Sequence, residues 1–274
     1  MQEPAPRPVG AFLAEEGMLA IHSQPLYYRR LRPLRGAPRH GPTLVFLHEA
    51  LGCTAMWHAF PAQVAADTGL TAVSFDRSGY GRSPRAARPQ GRDYLHREAE
   101  TVLPRVLESL DIRRAILVGH SDGGSIALLA AAALPRVVVG IVTEAAHVFV
   151  EPLTRAGIRE TLAAYAPQDL EQRLARYHGE KTRSLFFAWA DRWLSEAFRG
   201  WNIEACLKRI RCPALVIQGR DDPYGSEGQV TAIVSGIGPA AEPLLLPECG
   251  HIPHRRAPAK VREAIAAFAA PLAR

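Results

Sequence analysis

Cysteine is scarce. The chain has four, Cys53, Cys206, Cys212 and Cys249, and none stand as a C-x-x-C pair. That argues against a disulfide framework and suits free thiols in a reducing, cytoplasmic setting. No apolar run reaches membrane-spanning length, so no membrane partner is expected. The proline-rich start, Met1 to Pro8, lacks the apolar core of a secretory signal. The histidines lack ligand spacing, so neither a metal nor any other cofactor is expected. Charge of one sign is not gathered into a tail, because the net +6 is spread over many arginines. The densest basic group, Arg29, Arg30, Arg32 and Arg35, alternates with apolar residues and prolines. No zinc spacing or RNA-binding aromatic signature accompanies it, and a solvated basic face is expected, not a nucleic-acid partner. Internal repeats and low-complexity tracts are missing as well.

What is present is ordinary for a globular protein: 47% apolar and 22% charged residues over 274 positions, enough for one large α/β domain. Residues 1–10 read as a loose leader, 18–22 and 26–31 as an antiparallel edge pair, and 32–42 as a turn-rich connection. Strands are predicted at 43–47, 71–75, 115–118, 137–142, 214–217 and 243–246. Helices are predicted at 57–67, 93–110, 226–235 and 258–269, the second of them kinked by Pro104. Strands alternating with helices predict an α/β fold, a mostly parallel sheet covered on both faces.

That alternation stops after 142 for about sixty residues, longer than an ordinary crossover. Residues 150–206 read instead as several helices, among them 169–178 and 184–198. Three of the four tryptophans (Trp189, Trp193, Trp201) lie there, with Phe186, Phe187 and Phe198. Some of these aromatics form the segment's own small core, and others are expected to wall a substrate pocket, with Trp189 and Trp193 the candidates.

The organising stretch is Gly119-His120-Ser121-Asp122-Gly123-Gly124, between a short apolar run and an alanine-rich helix. Gly-x-Ser-x-Gly on a strand-to-helix turn is a nucleophile elbow. Ser121 has to sit exposed on a strained turn, so its neighbours must be nearly free of side chain. The helix N-terminus then aims N–H groups at any anion formed beside it. A serine hydroxyl also needs a base, and the base an orienting acid. Such groups collect at the carboxyl ends of parallel strands. Asp222 follows one such strand and His251 another, in the chain order Ser121, Asp222, His251.

These motifs, with His48 after the third strand, the loop Asp76-Arg77-Ser78-Gly79-Tyr80-Gly81-Arg82-Ser83, Gly219-Arg220-Asp221-Asp222 and Gly250-His251, make the chain resemble the α/β-hydrolase superfamily over nearly its whole length. The resemblance implies an eight-stranded, mostly parallel sheet, with a core of 1–149 and 207–274 and a helical cap over 150–206. It favours Asp222 over Asp221 as the acid. It also implies an oxyanion hole built from the N–H groups of Asp122 and Ala50. The usual His-Gly after the third strand is His48-Glu49 here, and both Glu49 and Asp122 are expected to point away from the oxyanion, with Glu49 paired to an arginine such as Arg77. His120, His254 and Cys249 are expected to be structural. His147, where the chain leaves the sheet for the cap, is either a substrate contact or a hinge histidine satisfied by backbone.

Relatives that dehalogenate or open epoxides use aspartate at the elbow, so Ser121 leaves acyl chemistry on a small-molecule substrate. A carboxylic ester or lactone is the leading expectation. Carbon–carbon hydrolysis of vinylogous diketones is an alternative, as is a non-catalytic ligand-binding member of the fold. Arginines of the 150–206 segment (Arg155, Arg159, Arg173, Arg176, Arg183, Arg192, Arg199) would suit an acidic substrate, although helical arginines are more often solvated. Oligomeric state is left open, a homo-oligomer included.

Overall fold

The computed structural model describes residues 7–21, 24–34, 41–86 and 91–274. Positions 1–6 of the leader expected over 1–10, position 22 of the first expected strand and positions 35–40 of the turn-rich connection lie outside these. In chain order the strands are β1 (Arg7–Val9), β2 (Phe12–Ile21), β3 (Gln24–Pro33), β4 (Thr43–Leu47), β5 (Ala72–Phe75), β6 (Ala115–His120), β7 (Val138–Glu144), β8 (Ala214–Gly219) and β9 (Ala241–Leu246). The helices are α1 (Phe60–Thr68), α2 (Tyr94–Arg97), α3 (Leu103–Ser109), α4 (Asp122–Ala133), α5 (Pro152–Ala163), α6 (Leu170–His178), α7 (Thr182–Leu194), α8 (Glu196–Arg199), α9 (Glu204–Leu207), α10 (Glu227–Ile237), α11 (Pro253–Arg256) and α12 (Pro258–Ala269).

The strands form one sheet in the order β1-β2-β3-β5-β4-β6-β7-β8-β9. β1 to β3 are an antiparallel meander, β3 joins β5 antiparallel, and the remaining pairs are parallel. The eight expected strands are all present. The ninth, β1, falls where a loose leader was expected. β2 and β3 are also longer than predicted, running back to Phe12 and on to Pro33. The Glu15 and Glu16 carboxylates of β2 accept hydrogen bonds from the Tyr28 and Tyr27 hydroxyls on β3, and Glu16 also pairs with Arg82 at 3.4 Å.

Period-two alternation divides the core. Leu44 and Phe46 of β4 face α1 and α12 with Ile116, Val118, Leu215 and Ile217. Val45 and Leu47 face the other way, with Leu117, towards α3 and α4. α4 is apolar nearly all round and correspondingly buried. Between α2 and α3, residues Glu98–Val102 form a π turn. It lies just before Pro104, whose missing N–H leaves a carbonyl of the preceding turn without its helical partner.

Helices α5 to α9 leave the carboxyl edge of the sheet after β7 and return at β8. Phe186 stacks on Tyr165 at 4.1 Å between ring centres, and Phe198 on Trp201 at 5.5 Å, inside the helical segment. Three ties hold this segment to the sheet loops. Glu151 caps α5 and accepts from Ser226 N–H at 3.0 Å and from Gln229 Nε2 at 2.8 Å. Lys181 Nζ donates to the carbonyls of Gly81 (2.7 Å) and Ser83 (2.5 Å). His178 Nδ1 accepts the Gly81 N–H at 2.9 Å while its Nε2 donates to Leu51 O at 2.8 Å. No helix among the described residues is long and apolar enough to cross a membrane.

Candidate active site

The turn from β6 into α4 is set by sterics. Ser121 has φ 54° and ψ −117°, outside the conformations an L-residue readily adopts. A Cβ at Gly119 would lie 2.1 Å from Gly123 O, and one at Gly123 only 1.9 Å from Leu47 O. Glycine is therefore required on both sides of the serine. A Cβ at Gly124 would meet Ala146 Cβ at 2.7 Å, in the loop after β7, and Gly119 O of β6 at 3.2 Å. A serine at a helix N-terminus usually caps it. Ser121 Oγ makes no cap bond and lies 3.0 Å from His251 Nε2 instead.

His251 is oriented from its other nitrogen, with Nδ1 at 2.9 and 2.8 Å from the two Asp222 oxygens. Asp222 is buried and also accepts from Gln218 Nε2 (2.7 Å) and Tyr224 N–H (2.8 Å). Burial alone would push its carboxyl up. The hydrogen bond and charge of His251 outweigh that, so Asp222 stays below the ordinary carboxylate value. For His251 burial prevails over the pull of Asp222, helped by the nearby His120 and His147, and the imidazole is held below its usual value. A neutral imidazole with its free nitrogen on the serine is what a general base needs near pH 7. Asp221, by contrast, is exposed and uses only its backbone N–H, on Cys249 O.

The loop after β4 is held at one backbone carbonyl by two side chains. Glu49 O accepts from His48 Nδ1 at 2.7 Å and from Arg77 at 2.8 Å. In a trans peptide this carbonyl and the next N–H point opposite ways, so the Ala50 N–H turns away from that pair. Neither it nor the Asp122 N–H has a partner among the described residues, and both residues line the cavity with Ser121. His48 is held far below the usual imidazole value, first by burial and then by Arg77, in keeping with one ring nitrogen donating and the other accepting the Arg77 N–H at 3.1 Å. The expected Glu49–Arg77 side-chain pair does not form. Arg77 pairs with Asp122 at 3.3 Å, both buried, and Tyr94 donates to the same carboxylate oxygen at 2.9 Å. Glu49 faces His120 instead.

The cavity over Ser121 is about 220 Å³, and besides the loop residues its walls include Trp189, Trp193, Ile158, Thr161 and His147. His147 lines the cavity with its Nε2 at 2.9 Å from Tyr224 O, the backbone-satisfied arrangement. None of the arginines considered for an acidic substrate lines it. Arg155 turns to the carbonyls of Trp193 and Ser195 and to Glu196, and Arg192 lies over the Tyr94 ring. Sequence reasoning missed Gln218 and Tyr224, both on Asp222. A glutamine at a strand end and a tyrosine in a loop carry no signal of that role. Among the described residues no group of three or more His, Cys, Asp or Glu side chains could hold a metal ion.

Residues 44–264 match the alpha/beta hydrolase family. The chain is 28% identical over 159 residues to serine hydrolase BPHL of Homo sapiens, covering 56% of this chain and 54% of that protein. Against the Mus musculus protein it is 26% identical over 227 residues, 80% and 75% of the two chains. It is 29% identical over 236 residues to the 2-hydroxy-6-oxononadienedioate/2-hydroxy-6-oxononatrienedioate hydrolase of Paraburkholderia phymatum, covering 76% and 80%. The enol-lactonase structure from Burkholderia xenovorans LB400 superposes with TM-score 0.70 at 20% identity, covering 92% and 99%, a likeness of fold.

Proposed function

The chain belongs to the alpha/beta hydrolase family, and on that premise we propose that it is a serine hydrolase of a small or medium carboxylic ester or lactone. The observation that carries this reading is the line of contacts from Ser121 Oγ through His251 to Asp222, in one cavity with two unpartnered backbone N–H groups. His251 Nε2 takes the serine proton as Oγ attacks the substrate carbonyl. The developing oxyanion is held by the Ala50 and Asp122 N–H groups. His251 then protonates the leaving oxygen as the carbon–oxygen bond breaks, leaving an acyl group on Ser121. Water, deprotonated by the same imidazole, releases the acid and restores the serine. Residues 150–206 serve as the cap, with Trp189 and Trp193 giving the pocket an apolar wall that excludes water.

Carbon–carbon hydrolysis is a second reading, supported by the Paraburkholderia phymatum relative. That relative's name describes a dioate substrate, whereas among the described residues no lysine or arginine lines the cavity here. The lining favours neutral esters and lactones. Four buried, free cysteines fit a cytoplasmic protein. The test is a panel of p-nitrophenyl esters, lactones and vinylogous diketones, run with the parent chain and Ser121→Ala. Turnover of the neutral esters or lactones, lost in Ser121→Ala, is the expected result. Turnover of diketones alone would favour the second reading, and activity surviving in Ser121→Ala would overturn the mechanism.

A further inference from the structure

A carboxylate beside each proposed oxyanion donor is a liability, because both would oppose the charge that forms there. Asp122 has a permanent counter-charge, the buried Arg77 at 3.3 Å. Among the described residues Glu49 has no such partner. It lines the cavity, and its Oε2 lies 3.5 Å from His120 Nδ1, an ion-pair distance longer than a good hydrogen bond. The other ring nitrogen of His120, Nε2, donates to the backbone carbonyl of His251 at 2.6 Å. Both nitrogens of His120 are thus aimed at acceptors. A neutral imidazole has one donor and one lone pair, so only the imidazolium satisfies both directions.

Resting on the serine-hydrolase reading, we propose that His120 is the titratable counter-charge of Glu49, and that turnover requires His120 to hold its proton. The imidazolium links the loop carrying Ala50 to the loop carrying the base, so it also positions the two relative to each other. Four other groups surround it. The His251 ring lies 5.1 Å away, the His254 ring of α11 lies at 5.2 Å, and Trp57 at 6.3 Å does not titrate. Glu144, at the end of β7, already accepts from His254 N–H and Nδ1. Burial opposes charge on His120, yet Glu49 and then Glu144 raise it above the usual imidazole value, and the Glu49 carboxyl is held far below its own.

Activity should therefore have two limbs of different origin. It rises as His251 loses its proton and falls, at higher pH, as His120 loses its own. The test is kcat against pH on a neutral p-nitrophenyl ester for the parent, Glu49→Gln, His120→Gln and the double variant. The parent should lose activity on the alkaline side, and Glu49→Gln should remove that limb. His120→Gln should lower kcat at pH 7 by about 10- to 100-fold, with Glu49 uncompensated at every pH. The double variant should recover most of that loss. An alkaline limb unchanged in Glu49→Gln, or a double variant no better than His120→Gln, would overturn the proposal. Should Glu49→Gln fail to fold, Glu49→Gly removes the same charge and is read the same way. Labelling of the parent at pH 7 with a fluorophosphonate separates the two levels. An unlabelled Ser121 defeats the hydrolase reading itself, whereas normal labelling with an unchanged limb defeats only the role of His120.

Discussion

Asp221 and Asp222 are neighbours in the chain and differ in every contact that matters. One is exposed; the other is buried and holds His251. Asp222→Asn should lower kcat by about 10³- to 10⁴-fold, because the amide no longer fixes the imidazole tautomer. Asp221→Asn should change it less than about threefold. Steady-state kinetics of the pair checks this, and the reverse order would reassign the acid. The imidazole also sets the acid limb. Since His251 must be neutral to accept the serine proton and is held below 6.5, kcat/KM should rise with pH through a midpoint below that value. A midpoint above it would mean that a different group titrates. His147 bonds the Tyr224 carbonyl that also receives Thr154 Oγ1. His147→Gln should lower stability by about 1–3 kcal/mol in a thermal melt and affect all substrates alike. A loss selective among substrates would instead make it a contact. At this scale Ser121, Asp222 and His251 were legible because strand ends and steric need tie each to a fixed place. The partner of Arg77 was not legible, because which of two nearby carboxylates meets a guanidinium depends on backbone directions that local sequence does not encode.

At the scale of elements, the parallel strands and the closing helix were readable from apolar runs and their period; the closing helix, α12, lies where it was predicted. Two features were hidden. The glutamates of β2 find their partners on β3 and, for Glu16, on Arg82 as well, none of which the local run reveals, so the strand reads as shorter than it is. α5 begins at a cap whose Glu151 is held by residues about 75 positions later. The ties from the inserted helices to the sheet loops make a prediction of their own. His178 bonds both Gly81 and Leu51, next to the proposed donor Ala50. His178→Ala should lower kcat by about tenfold with a smaller change in KM, since it loosens a group that acts on the oxyanion. Hydrogen exchange should show faster opening of residues 49–53 and 79–83 in that variant. Unchanged exchange in both loops would show that the tie is not what holds them.

For the whole molecule, the sheet supplies a rigid edge, the loops set the His251 imidazole 3.0 Å from Ser121 Oγ, and Ile158, Thr161, Trp189 and Trp193 of the inserted helices line the same cavity. The cavity of about 220 Å³ lies below the range of drug-sized ligand pockets and suits a compact acyl group. With no lysine or arginine among the described residues that line the cavity, kcat/KM for a neutral acyl ester should exceed that of its carboxylate-bearing analogue by about tenfold or more, measured side by side. Comparable values would mean that a cation outside the cavity reaches the substrate. The central claim is that Ser121 is a nucleophile activated by His251. Its most direct test is mass spectrometry of the parent, Ser121→Ala and His251→Ala after exposure to a fluorophosphonate. One adduct per chain, mapped to Ser121, missing in Ser121→Ala and formed far more slowly in His251→Ala, is the predicted result. A parent chain that takes up no adduct, or carries it on another residue, would contradict the account.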